Sequence, residues 1–215
     1  MARWVTAMIR ALLMAALAVG MPGMAGAETL QGKAALQALT AQVEKAEVLR
    51  ANFRQVRTTK ALSQPLVSEG KLVVAGNRGL LWQLENPFPL MIAITPEKII
   101  EREEGLPARA TPTASQPMFG AFTRLFLGLL SSKPEGVAEI FDARLERMGA
   151  AWQLRLTPKD ALIRRAIAGI DVTGGRFIEK VLVREQSGDA TAIDISGHTI
   201  RPAALTPAER RAFGG

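Results

Sequence analysis

The side chains able to do chemistry are few in this chain, and their spacing does not assemble them. Cysteine and tyrosine are absent, and the single histidine, His198, sits in a Gly-His-Thr stretch near the tail, where it reads as a solvated loop residue. A covalent mechanism needs a nucleophile with a base in reach. No Gly-x-Ser-x-Gly elbow, no phosphate-cradling glycine loop and no His-Glu-x-x-His zinc helix is present. Glu103 with Glu104, and Asp189 with Asp194, read as surface acids in turns or at strand edges. No cluster of His, Cys, Asp and Glu stands at ligand spacing, so neither a metal nor another cofactor is expected. The residues predict binding, not catalysis.

The conspicuous side chains are apolar. Residues 118–130 read MFGAFTRLFLGLL, with three phenylalanines of the chain's eight. At helical spacing, Met118, Phe119, Phe122, Leu125, Phe126, Leu129 and Leu130 fall within roughly 140° of arc, and Gly120, Ala121, Arg124 and Gly128 take the other side. The stretch is too short for a membrane span and carries Arg124. Two readings stay open. Its apolar face packs permanently on a sheet, or it forms a flap over something the protein carries. It follows residues 104–117, a proline-rich segment that reads as a loop and would let it move.

The elements that would face this helix are strands. Helical spacing runs from Leu30 to about Arg50, and NFRQVRT (52–58) then reads as a strand. LVSEGKLVVA, LLWQLEN and LMIAIT alternate, with GNRG (76–79) as a hairpin turn and a short strand to follow near KIIERE. PEGVAEIF (134–141) suggests a helical turn or two. FDARLERMG, AWQLRLTP, a stretch around RRAIAGIDV, RFIEKVLVRE and TAIDIS supply the later strands. Thr206-Pro207-Ala208-Glu209 has capping-box spacing for a short final helix. Helix, strands, helices, then strands predict an α+β fold with one antiparallel sheet. Alternation puts Leu72 and Val74, then Leu80, Trp82 and Leu84, then Ile92 and Ile94, then Trp152, Leu154 and Leu156 on one face. So large an apolar surface requires cover by helices or by an apolar ligand. The strands around 165–172 and 177–184 carry apolar residues on both faces, which leaves their inward side open.

Residues 1–27 read as a cleaved secretory signal. Arg3 and Arg10 precede the apolar run 11–19, and Ala25-Gly26-Ala27 supplies a cleavage site before Glu28. An uncleaved membrane anchor is the alternative, but the run is about half the roughly 20 residues a span requires. Residues 28–215 then form one domain, with 25 basic and 20 acidic residues for a net of +5. Lacking cysteine, the exported chain forms no disulfide and carries no thiol for a lipid anchor, which points to a soluble protein of the periplasm. No basic stretch is interleaved with aromatics, so nucleic acid is not an expected partner.

Taken in order, ANFRQ (51–55), SEGKL (68–72), LLWQLENP (80–87), TPEK (95–98), WQLRLTPK (152–159) and VREQSGDAT (183–191) resemble LolA, the periplasmic outer-membrane lipoprotein carrier family, over nearly all of residues 28–215. The resemblance implies an incomplete antiparallel β-barrel, a strongly curved sheet covered by helices around a hydrophobic cavity. It also implies a monomeric carrier that shuttles acylated cargo from an inner-membrane export complex to an outer-membrane receptor. Phe53 would stand in the cavity wall, Leu80, Trp82 and Leu84 would line the cavity, and residues 118–130 would form the lid. The family's lid-locking arginine precedes the F/L-x-W strand within an Arg-Pro pair. Here Gly76-Asn77 holds that place, and Arg78, about two residues on, is the candidate gate. That departure allows a different cargo, such as a glycolipid or a polyene-type product. A periplasmic module that docks a partner protein through its apolar face is the rival reading, and an enzyme acting on lipids ranks last.

Overall fold

A computed structural model describes residues 28–76, 78–115, 127–128 and 135–214. The sequence alternation becomes strands β1 (Glu28–Gln31), β2 (Val48–Thr58), β3 (Leu66–Ala75), β4 (Gly79–Asn86), β5 (Leu90–Ile94), β6 (Lys98–Glu103) and β7 (Arg109–Pro112), followed by β8 (Phe141–Met148), β9 (Ala151–Pro158), β10 (Ile167–Gly174), β11 (Ile178–Glu185) and β12 (Ala190–Thr199). Among the described residues these make a single sheet in the order β1-β8-β9-β10-β11-β12-β2-β3-β4-β5-β6-β7, antiparallel at every pairing. The sheet is strongly curved and open, an incomplete barrel. The helices given bounds among the described residues are α1 (Gly32–Gln42), α2 (Glu135–Ile140), α3 (Ala161–Ala166) and α4 (Pro207–Ala212).

Register decides which side chains share the inner face. Leu72 pairs with Trp82 and Trp82 with Ile92, while Val74 pairs with Leu80 and Leu80 with Ile94. In the other half Leu145 pairs with Leu154, Leu154 with Val172 and Val172 with Val181. The inward residues of the two ambiguous strands are therefore Ile170 and Val172 on β10 and Val181 and Val183 on β11. Helix α1 lies against β8, and its Leu36 and Leu39 are buried in the same cluster as Leu145 and Leu154.

Three expectations differ from the structure. The helix predicted from Leu30 to Arg50 is shorter: β1 precedes it, and β2 already begins at Val48, paired with Ala75. Val48 and Leu49 fit helical spacing equally well, but each gains a buried partner strand. The segment 104–117, read wholly as a loop, contains β7, which among the described residues is an edge strand paired with β6 and ends at Pro112, where a proline costs no ladder bond. Residues 161–166 of the stretch around RRAIAGIDV form α3, capped by Asp160 through the amides of Leu162 and Ile163. At the β3–β4 turn Gly79 has φ +134°, and an added Cβ would lie 1.9 Å from the carbonyl oxygen of Ile94. Only glycine fits there.

The outer face of β2–β6 is apolar too. Val48, Val73, Leu81, Ala93 and Ile100 form a second buried cluster, covered by Ala212 and Phe213 at the end of α4. Two arginines hold that cover in place. Arg50 Nε donates to Glu209 Oε1 at 2.7 Å and Nη2 to Oε2 at 2.8 Å, with further bonds to the carbonyls of Pro202 and Ala204. Arg102 Nη1 donates to the Ala212 carbonyl at 2.6 Å. The expected capping box is formed by Thr206 and Glu209. The Arg50 guanidinium holds the Glu209 carboxyl below its ordinary range.

A carboxyl with a depressed folded-state pKa contributes stability that is complete above its unfolded value and is lost as pH falls through the folded one. Glu209→Gln should therefore cost about 1–2 kcal/mol at neutral pH. In urea titrations its deficit relative to the unsubstituted chain should shrink as the pH drops below about 4. A deficit independent of pH would show that Glu209 acts only as a helix cap.

Candidate functional site

The described residues do not fill the inner face. A hollow of about 360 Å³ remains, lined from β4 by Leu80, Trp82 and Leu84, and from β5 by Leu90, Ile92 and Ile94. Across from them stand Ile167 of β10, Val183 of β11 and Ile193 of β12. These strands are separated in the sheet by β2 and β3, so curvature alone brings them to one lining. The deep residues Leu80 and Ile94 are buried, while Leu84, Leu90 and Ile92 are half-buried.

Of the sequence-predicted wall, Leu80, Trp82, Leu84, Ile92 and Ile94 line the hollow. Phe53 lies behind Trp82, with ring centroids 3.9 Å apart and planes 30° from parallel. The two rings meet across β3, where the residue paired with Phe53 is Gly70; a Cβ there would lie 1.9 Å from the Gln83 carbonyl oxygen, so β3 and β4 approach too closely for any other residue. Leu72 and Val74 are buried beside them but are not in the lining. Trp152, Leu154 and Leu156 belong to the filled half, no more than 1% exposed. There Trp152 Nε1 donates to the Gly175 carbonyl at 2.7 Å. Of the predicted lid, Leu127 and Gly128 are helical and Leu127 packs on the inner core. Phe119, Phe122, Leu125, Phe126 and Leu129 lie outside the described residues, as does the predicted signal, residues 1–27. Arg78 is exposed at the β3–β4 turn, where its amide donates to Ala75.

One end of the hollow is polar, which the sequence reading missed. Gln55 and Arg57 of β2, Glu185 of β11 and Thr191 of β12 complete the lining. Arg57 Nη1 lies 2.9 Å from Glu185 Oε1, and Nη2 lies 3.3 Å from Oε2 and 3.6 Å from Asp189 Oδ2. The inward positions of β2 carried the signal: Leu49, Ala51 and Phe53 are apolar, then Gln55 and Arg57 are not. Two readings of single residues change. Asp189 is no ordinary surface acid, because its Oδ1 accepts the Lys60 amide at 3.1 Å. That bond, the Thr59 hydroxyl and the charges of Arg57 and Lys60 hold its carboxyl below the usual range. His198 is not loose in a loop. It stands in β12 with Nε2 2.8 Å from the Ile178 carbonyl and its ring stacked on Phe177 at 4.8 Å.

Among the described residues no group of three His, Cys, Asp or Glu could hold a metal, and no helix is long and apolar enough to cross a membrane. The side-chain set offers an apolar surface with a hydrogen-bonding end. Because the Asp189 pKa is depressed, its tie between the β2–β3 loop and the β11–β12 turn is complete at neutral pH and is lost as pH falls through that value. Asp189→Asn should remove this pH dependence from the exchange protection of the Lys60 amide. Equal acid lability with and without Asp189 would refute the assignment.

The model of a family described as outer membrane lipoprotein carrier protein LolA-like matches residues 24–212. No curated protein matches the chain significantly. Solved structures do. A LolA superfamily protein of Nitrosomonas europaea is 10% identical, covering 84% of this chain and 96% of its own, with a TM-score of 0.49. A domain described as that of an outer membrane lipoprotein-sorting protein from Vibrio parahaemolyticus is 11% identical over 85% and 98%, with a TM-score of 0.47.

Proposed function

We propose, for a chain that belongs to the LolA-like family of outer membrane lipoprotein carrier proteins, that the hollow on its inner face binds an acyl chain of a lipoprotein or related lipid reversibly, with no covalent step. On this reading the chain is exported behind a signal removed before Glu28, works as a monomer in the periplasm, and shuttles cargo from the inner to the outer membrane. An inner-membrane export complex is the donor and an outer-membrane receptor the acceptor.

The observation that carries the proposal is the apolar hollow itself. A soluble domain normally closes its core to near-crystalline density. Here about 360 Å³ stays open between two apolar walls, within the range of roughly 300–1,000 Å³ common for ligand pockets. Each methylene moved from water into it gains about 0.8 kcal/mol, so a chain of moderate length holds without any polar anchor. Release then needs a competitor for the same wall. The phenylalanines of residues 118–130 are the proposed competitor, with Arg78 as the candidate gate.

The half-buried lip gives a cleaner test than the buried wall. A charge at Leu80 or Trp82 would enter the folding core, where both are at most 7% exposed. Ile92→Glu, at a half-buried lining position, should abolish saturable uptake of a fluorescent acyl probe while far-ultraviolet circular dichroism stays unchanged. In the unsubstituted chain, acyl uptake should alter tryptophan emission. That change should survive Trp152→Phe and disappear with Trp82→Phe. Uptake by Ile92→Glu equal to that of the parent would refute the hollow as the binding site.

A further inference from the structure

We infer that the polar end of the hollow selects cargo by head group, accepting a single acyl chain that ends in an uncharged, hydrogen-bonding group such as an amide or ester and discriminating against ionised heads. The inference rests on the carrier reading and adds to it the chemical class of the ligand.

Exposure sets the orientation. Leu80 and Ile94, at 0% and 2%, are the deep end, whereas the side chains of Arg57 and Glu185 are 40% and 25% exposed. An amphiphile entering this gradient puts its tail against β4 and β5 and its head beside Gln55, Arg57, Glu185 and Thr191. The volume, near the lower bound for ligand pockets, suits one chain.

Charge sets the selectivity. Arg57 pairs through both terminal nitrogens with Glu185 and faces Asp189 besides, so its single positive charge is already met by two acids. A carboxylate or phosphate head would bring a third negative charge to one guanidinium, against the repulsion of Glu185 and Asp189. An ammonium head would meet Arg57 and, on the adjacent loop, Lys60, whose charge already bears on Asp189. Desolvating a charge without a partner is unfavourable in either case. Gln55 and Thr191 offer donors and acceptors without net charge, and Glu185 keeps acceptor capacity for an amide N–H. Two acids balanced by two bases make the end locally neutral.

The test uses the full exported chain and displacement of Nile red, an uncharged fluorophore, by three ligands with the same tail: N-methyldodecanamide, dodecanoate at alkaline pH, and dodecylammonium near neutral pH. The amide should displace the dye at a concentration lower than either ion by about tenfold or more. In Glu185→Gln, which leaves Arg57 less compensated, the disadvantage of dodecanoate should shrink to about threefold or less. A purely structural Arg57–Glu185 pair would change stability but not this ratio. Equal or tighter binding of either ion by the parent chain, or an unchanged ratio in Glu185→Gln, overturns the head-group inference and leaves the carrier reading standing. No uptake of Nile red or of any ligand by the parent overturns the carrier reading, and this inference with it.

Discussion

The constraint on which the structure depends is that a curved sheet with apolar residues on both faces has to be covered on both, and the helices among the described residues do not cover both completely. The outer face meets the requirement within the fold, since the C-terminal segment lies over Val73, Leu81 and Ile100 and is held there by Arg50 and Arg102. The inner face meets it only in part. Helix α1 fills the half over β8, and the half between β4–β5 and β10–β12 keeps its hollow. Apolar wall that the described residues leave uncovered forgoes burial free energy within them. A fold that tolerates this loss is suited to recovering it from a ligand.

The hollow has its shape because of a few backbone decisions. Gly79 allows the tight β3–β4 hairpin that sets the register of Leu80, Trp82 and Leu84 against Ile94, Ile92 and Leu90. Gly70 allows the close approach of β3 to the Gln83 backbone, and Phe53 meets Trp82 across that strand. The Trp82 ring is therefore braced on its core side and presented to the hollow on the other. A rigid aromatic wall with a half-buried lip can admit a flexible chain without repacking the sheet.

Much of this was legible in the amino-acid order. Alternation placed Leu80, Trp82, Leu84, Ile92 and Ile94 on one face, and the serial motifs named the family that the match to residues 24–212 shows. Alternation could not separate lining from core: Trp152 and Leu80 have the same local pattern and are equally buried, yet Leu80 lines the hollow and Trp152 does not. It also could not reveal a second apolar face, because Val73 and Leu81 read as interruptions of the pattern until Phe213 is seen against them. The pairing of Arg57 with Glu185 spans 128 residues and crosses β12, beyond the reach of any local signal. The short edge strands β1 and β7 were missed for a related reason, since each has one neighbour among the described residues and little burial to impose a period.

Native mass spectrometry of the full chain, taken from the periplasmic fraction of cells that express and export it, bears most directly on the central claim. The account predicts a population carrying one acylated molecule per chain, which dissociates under gentle activation to the bare protein mass. A bare mass throughout, unchanged after incubation with excess acyl lipid, would contradict it.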